Sequence, residues 1–416
     1  MTASIKKDYT WNTIGVLAQN AISPLLLIIV TRLNGVADSG MFSFAFAVAI
    51  IFWVISMWGG RTYQVSDVNK EFSHRSYIMV RLVLTIAAVV GAVLFSVVNH
   101  YDQTKTSLIL ALVLFKTVES VADAIHGVLQ INDRLYVVGR SLTYKAIAGF
   151  VAFVVIDFLT HNILLGALGI VAVNVVIVLF YDLSKAKRLE TIDIPFSQMG
   201  SVIRSAIIIM RRTWPVFIVI FLSMFSLNIP RYFIDLYHGE EIGYFGILAM
   251  PITLIGMVMV FILQPQVVYL SKAYEQKEYV RFRKTVKKLM YITVLIGLVI
   301  LVGAYVFGVP ALSLFFGVNF SPYLEALMII VVGGILNAIV SIFINIFTII
   351  RKFKQQFYIL LLTNITLGIL SAVLVRSYGL TGGVLLFTGT NVVQLILMIL
   401  SYEMIFRKRI KNTPIA

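Results

Sequence analysis

Cysteine is absent from the chain, which excludes disulfides, thiolate chemistry and Cys-based metal sites. Histidine is scarce: His74, His100, His126, His161 and His238 are scattered and share no metal-ligand spacing. Charge is scarce too. Only 13% of the 416 residues are charged, and 19 acids stand against 34 bases. No GxxxxGK[ST] phosphate loop occurs, so an ATP-driven pump within this chain is excluded. What is there is apolar: 60% of residues are hydrophobic, and the mean hydropathy is +0.95. Apolar runs continue for about 20 residues, enough for a helix to cross ~30 Å of hydrocarbon. A barrel would instead alternate apolar and polar residues in short segments. The composition predicts an all-α integral membrane protein. The polar start "MTASIKKDYT" lacks a small-residue cleavage site, so the first apolar segment is expected to be an uncleaved anchor.

Twelve transmembrane helices are predicted, at 11–31, 40–60, 76–98, 107–130, 141–159, 162–182, 214–237, 243–270, 289–309, 324–350, 356–376 and 379–405. Between 141 and 182 only "THN" (160–162) turns the chain. With a cytoplasmic N-terminus, all but five of the 34 Lys and Arg fall in inner segments, Lys70, Arg75, Arg81, Arg134, Arg140 and Lys145 among them. The exceptions are Arg32, Lys105, Arg231 and Arg376 at outer ends and Lys116 inside a helix. Cytoplasmic loops collect Lys and Arg, so both termini are expected to be cytoplasmic. The net charge of +15 then reflects topology rather than nucleic-acid binding. The stretch "SVIRSAIIIMRR" (201–212) reads as an interfacial amphipathic helix, with Arg204, Arg211 and Arg212 toward anionic headgroups. The longest outer loop is expected at 308–323, and no soluble domain fits anywhere.

A shift of 203 residues superposes the start of the first span on that of the seventh. Trp11 then meets Trp214, Val16 meets Val219, Ser23 meets Ser226, Leu33 meets Leu236, Gly40 meets Gly243 and Phe42 meets Phe245. Two six-helix lobes in the same orientation imply an axis along the membrane normal and a central cleft. The expected organisation is a lobe at 1–182, a basic interfacial linker at 183–213, a second lobe at 214–405 and a cytoplasmic tail at 406–416.

The fourth span, "LVLFKTVESVADAIHGVLQ" (112–130), carries charges where they cost most. At 100° per residue Lys116, Glu119, Ser120, Asp123, His126, Gly127 and Gln130 share one face, opposite Leu114, Val118, Val121, Ile125 and Val128. A central charge facing lipid costs at least ~2.5 kcal/mol, so this face must line water or polar groups. In the bland reading Lys116 and Glu119 neutralise each other three residues apart and merely pack the bundle. Yet two acids against one base leave Asp123 without a partner on that face, which favours a hydrated cavity. There Lys116 can hold an anionic substrate, while Glu119 and Asp123 can take a proton or Na⁺.

Other polar positions read mainly as interhelical hydrogen bonding: Asn12, Gln19, Asn20 and Ser23 on the first span, "QPQ" (264–266), Asn337, Ser341 and Asn345, and Asn391 with Gln394. Pro24 is expected to break the first helix, and Pro230 and Pro251 to bend others. "WGGRTYQVSDV" (58–68) ends the second span with paired glycines and Arg61. "NIPRYFID" (228–235) ends the seventh with Arg231 and Asp235 four apart, for which a local ion pair is the simple account. Sharing a cleft, Arg61, Lys116 and Arg231 would form cationic stations at three depths, as a phosphate-bearing headgroup requires.

Twelve spans in two sixes, "GGRTYQVSD" (59–67) and "NIPRYFID" together resemble the polysaccharide-transporter branch of the MOP (multidrug/oligosaccharidyl-lipid/polysaccharide) exporter superfamily. The resemblance covers essentially the whole chain. It implies a flippase of the bacterial cytoplasmic membrane that moves undecaprenyl-pyrophosphate-linked oligosaccharide to the outer leaflet by alternating access. The glycan would be of capsule, O-antigen, exopolysaccharide or teichoic-acid type. Membrane lipids, a polymerase and other polysaccharide-assembly proteins are the implied partners. Arg61, Lys116, Arg231 and Asn20 become the expected contacts to pyrophosphate and glycan, and Glu119, Asp123 and Asp235 the ion-coupling candidates. No cofactor beyond Na⁺ or H⁺ is expected, nor any metal site or catalytic residue. Lys116, Glu119 and Asp123 sum to −1, however, which departs from a purely cationic cavity. Relatives that flip the peptidoglycan lipid carry two further helices, which argues against that assignment. A drug exporter of the same superfamily is the nearest alternative, with Glu119 and Asp123 binding lipophilic cations. A membrane enzyme would need an acid-rich outer loop, and the only acidic cluster, "HGEE" (238–241), reads as a solvated turn.

Overall fold

The structure is a computed structural model that describes residues 3–67, 71–193 and 195–411. Every regular element among them is a helix. Lys70 and the side chains of Gln264, Pro265, Lys408, Arg409 and Lys411 lie outside the described residues, as do the readings that rest on them. The chain divides into two compact units, Met1–Met224 and Phe225–Ala416.

The first unit contains α1 (Ala3–Met57), α2 (Arg61–Ser66), α3 (His74–Val98), α4 (Gln103–Ile131), α5 (Leu135–Thr160) and α6 (Ile163–Ile177). A π-helical turn, Val178–Asp182, extends α6 into α7 (Leu183–Lys187). The ends follow from local chemistry. Ser73 and Asp102 accept hydrogen bonds from Ser76 N–H and Lys105 N–H at the starts of α3 and α4. At the turn predicted from "THN", His161 adopts a left-handed conformation and Asn162 caps α6 through Leu164 N–H and Leu165 N–H. α8 (Met199–Tyr237) crosses from the first unit to the second. The second unit continues with α9 (Ile242–Leu248), α10 (Met250–Glu275) and α11 (Tyr279–Gly303). It ends with α12 (Val309–Phe316), α13 (Leu324–Ile349) and α14 (Phe353–Lys411).

Three local expectations fail. α1 runs through Pro24 without a break, and leaves helical geometry only at Gly35 (φ 90°), between the predicted spans 11–31 and 40–60. Proline removes one backbone hydrogen bond but its φ suits a helix, whereas a positive φ turns the chain outright. α14 breaks the same way at Gly379 (φ 52°). The stretch 201–212 is the first part of the continuous α8, and its Val202, Ala206 and Ile209 pack on Tyr77, Met79, Val80 and Leu84 of α3. Half of the loop expected at 308–323 is helical, as α12.

Nine helical stretches among the described residues are long and apolar enough to cross a membrane. α4 is not one of them, because Lys116, Glu119 and Asp123 occupy its middle. Large apolar side chains stand open on the units' surfaces, including Phe180 at 76%, Val299 at 72% and Phe307 at 68% exposure. Such surfaces are prohibitive in water and ordinary against lipid. The protein is thus a multi-pass membrane protein. Inside the first unit Phe42 packs edge-on against Phe153 with ring centroids 5.7 Å apart. In lipid this contact contributes by packing rather than by release of water.

Candidate functional site

α4 organises the charges of the first unit. On it Lys116 Nζ lies 2.8 Å from Glu119 Oε2, and both side chains are less than 15% exposed. Gln19 Nε2 of α1 donates to the other oxygen of Glu119. The Lys116 ammonium also lies over the rings of Phe115 (4.9 Å), Phe46 (5.2 Å) and Trp53 (5.8 Å). Within the membrane this cation is held by a carboxylate and aromatic faces together.

One turn further, Asp123 has partners that the sequence did not assign to it. Arg61 Nε lies 3.6 Å from Oδ1, and Arg81 Nη2 lies 3.6 Å from Oδ2. The expectation of an unpartnered Asp123 is therefore wrong, because the partners come from α2 and α3 rather than from α4. Arg81, counted from sequence among inner-segment charges, is 5% exposed and also donates to the Met57 carbonyl. Its sequence signal was its place inside the apolar run "YIMVRLVL". With Arg61 and Arg81 included, three cations face Glu119 and Asp123, and the local balance changes from −1 to +1.

These pairs are loose. At 3.6 Å neither reaches hydrogen-bond length, and Arg61 Nη1, Arg81 Nε and Asp123 Oδ2 are buried with no hydrogen-bond partner. Unmet donors beside a net positive charge make this a place for an anion.

The motif 58–67 explains how Arg61 gets there. Trp58, Gly59 and Gly60 all have positive φ (36°, 89° and 73°), which reverses the chain at the end of α1 and starts α2 at Arg61. Paired glycines permit this geometry cheaply. Trp58 anchors the turn by donating to Met210 O (3.0 Å) and stacking on Phe217 at 3.9 Å. Gln64 then seats α2 on α4 by donating to Ala124 O (3.1 Å), over Gly127, where any Cβ would strike the Gln64 side chain. Asp67 closes the segment by accepting from Glu71 N–H (2.9 Å), Phe72 N–H (3.0 Å) and Tyr77 Oη (3.0 Å). Partial burial raises its pKa, but these donors outweigh that and hold it below 3.8. Asp67 is the organiser of a loop.

His126 leaves the Asp123 cluster altogether. Its Nε2 lies 3.2 Å from Asp182 Oδ2, and Lys145 Nζ reaches the same oxygen at 2.9 Å. Lys145 and Asp182 are 1% and 0% exposed. Lys145, expected in an inner segment, is inside α5, and the π turn brings Asp182 to it.

Asn20 is exposed, one residue from the Gln19 that reaches Glu119. Arg231 belongs to the second unit, where Nη1 donates to Asn228 Oδ1 at 3.5 Å and Nε is buried without a hydrogen-bond partner. Asp235 lies one turn beyond it on α8. The remaining polar positions of the second unit hold helices together. Asn337 donates to Asn391 (3.0 Å), and Gln394 donates to Ser226 (3.2 Å) and Thr363 (3.0 Å). Glu241 of "HGEE", read as solvated, accepts from Leu380 N–H just after the Gly379 break.

No family model matches the chain. It is 25% identical over 386 residues to the capsular polysaccharide biosynthesis protein CapF of Staphylococcus aureus, covering 92% of this chain and 95% of that protein. Among solved structures it is similar to an inward-facing multidrug resistance MATE family transporter of the MOP superfamily. The TM-score is 0.71 at 14% identity, over 97% of this chain and 96% of that one. It is also similar to the lipid II flippase MurJ in an inward closed conformation, with a TM-score of 0.69 at 14% identity over 94% and 87% of the two chains. By sequence the chain is similar to a capsular polysaccharide biosynthesis protein, and its fold is the one shared by that MATE family transporter and the lipid II flippase MurJ.

Proposed function

We propose that this protein is a flippase that exports undecaprenyl-pyrophosphate-linked oligosaccharide units from the inner to the outer leaflet of a bacterial cytoplasmic membrane. It works by alternating access, with twelve spans, both termini inside, and lobes at 1–182 and 214–405 joined by the basic segment 183–213. The observation that carries the reading is the Asp123 cluster. Two arginines face one carboxylate at 3.6 Å with donors unmet, two turns along α4 from Lys116. A pyrophosphate is a strong acceptor for such donors. Arg61 and Lys116 serve as its first contacts, Arg81 holds Asp123, Asn20 meets the glycan, and Arg231 is a further candidate contact. Glu119 and Asp123 are the coupling carboxylates, with Asp235 as a third candidate. A Na⁺ or H⁺ gradient, or the membrane potential at ~2.3 kcal/mol per charge per 100 mV, drives the cycle. The capsular polysaccharide relative supports a surface glycan as cargo.

A second reading, export of lipophilic cations, draws on the aromatic rings around Lys116, which already accommodate a cation. Depletion separates the two. Complete lipid-linked units should accumulate in the inner leaflet as surface polymer falls. Normal polymer with new sensitivity to cationic dyes would overturn the flippase reading in favour of the exporter.

A further inference from the structure

The first unit carries another polar cavity, of about 290 Å³, that shares no lining residue with the Asp123 cluster. Arg134, Arg140, Lys185 and Arg188 line it with Tyr136 and Tyr181, and no carboxylate is among its lining residues. None of these four cations has a carboxylate partner among the described residues. Arg134 Nη1 donates to Tyr136 Oη at 3.4 Å. The Arg140 guanidinium rests on the rings of Trp11 (4.8 Å) and Tyr136 (5.7 Å), while its Nε is buried without a hydrogen-bond acceptor. Lys7 brings a fifth cation over Tyr136, 4.0 Å from the ring centroid. The neighbouring carboxylate, Asp8, is committed to Tyr136 N–H at 2.7 Å. Four cations and a buried N–H that finds no acceptor describe a site for a phosphate oxygen.

The surroundings say which kind of phosphate. Arg140 heads a stripe along α5 whose next members, at helical spacing, are Tyr144, Ile147, Val151 and Val155. All four are exposed, at 44%, 59%, 51% and 50%. Leu179 and Phe180 of the π turn stand open as well. A soluble phosphate has no use for an apolar surface running away from its pocket, whereas a phospholipid lays its acyl chains there. The cavity is also too small for an oligosaccharide and suits a headgroup.

We propose that this pocket binds the headgroup of an anionic phospholipid whose acyl chains lie along the Tyr144–Val155 stripe. It is a lipid site apart from the transport path and does not depend on the cargo. Lipid retention by the purified full-length chain tests it. Native mass spectrometry would compare phosphatidylglycerol with phosphatidylcholine, for the wild type, Arg140→Gln, Arg188→Gln and the double variant. Neutralising a cation near an anionic lipid should weaken phosphatidylglycerol binding about fivefold, ~1 kcal/mol, and roughly 30-fold for both. Phosphatidylcholine retention should not change. Arg188 is exposed, so its variant keeps the test valid if Arg140→Gln folds poorly. Equal phosphatidylglycerol retention in wild type and Arg188→Gln would overturn the proposal. So would displacement of bound phosphatidylglycerol by excess inorganic phosphate, which would mark a soluble-phosphate site.

Discussion

α4 reaches two groups of charges, through Asp123 and, a single turn further on, through His126, and they are built in opposite ways. Around Asp123 the ion pairs are 3.6 Å long, the side chains of Arg61 and Asp123 are 24% and 19% exposed, and several polar atoms lack partners. Around Asp182 the Lys145 contact is 2.9 Å, both side chains are sealed, and His126 reaches the same carboxylate oxygen at 3.2 Å, leaving only Oδ1 without a hydrogen bond. A sealed, short pair is a fixed part of the helix packing. A loose pair with unmet donors is a place that something else can enter. The second unit offers a third case, since its buried polar side chains among the described residues are hydroxyls and amides such as Asn391, Gln394 and Thr363. Those add cohesion at little electrostatic risk.

Breaking the sealed group should have the largest effect. Asp182→Ala leaves Lys145 charged and buried, at a cost of about 3–5 kcal/mol, and should abolish accumulation of inserted protein on a membrane-fraction blot. Replacing both charges, as Lys145→Met with Asp182→Leu, should return accumulation to near wild type, because well-packed apolar residues replace buried ion pairs without large loss. Failure of the double replacement would show that the group does more than pack.

At the open group the contrast should reverse. Arg61→Gln is expected to leave inserted protein unchanged and to slow export on the order of tenfold or more, the scale of a lost charged hydrogen bond at ~1.5–3 kcal/mol. Asp123→Asn should change the dependence of export on pH or Na⁺, and an unaltered profile would remove the carboxylate from coupling. Smaller still is Asn391→Ala in the second unit, expected to cost about 0.6 kcal/mol in unfolding measurements, the usual worth of a membrane hydrogen bond.

The smallest effect lies outside the membrane. The Asp67 pKa is held below 3.8 in the folded protein, so its contribution is present above the unfolded value and fades as pH falls through the folded one. The gap in thermal stability between wild type and Asp67→Asn should therefore be constant at neutral pH and close only below 3.8.

The helical membrane architecture was readable from composition and run length, because a bilayer imposes helix length directly. The cost of Lys116, Glu119 and Asp123 was readable for the same reason, since it belongs to α4 alone. Their partners were not. Arg81 and Lys145 fall in the first turns of their apolar runs and count as inner-side charges, and only the packing of α3 and α5 against their neighbours shows them buried. Asp182 reaches Lys145 through a π turn that has no sequence mark. The reversal at Gly35 falls between the predicted spans 11–31 and 40–60, where apolar run length put it, whereas the local break expected at Pro24 is absent because its φ suits a helix. The reverse holds at Gly59 and Gly60, where the paired glycines announced the turn that presents Arg61.

The most direct test of this account measures flipping of lipid-linked oligosaccharide by the purified chain in sealed vesicles, for wild type, Arg61→Gln and the Lys145→Met, Asp182→Leu double variant. The account predicts that the double variant keeps the wild-type rate while Arg61→Gln loses most of it. A slow double variant beside a fully active Arg61→Gln would contradict it, placing the working charges in the sealed group.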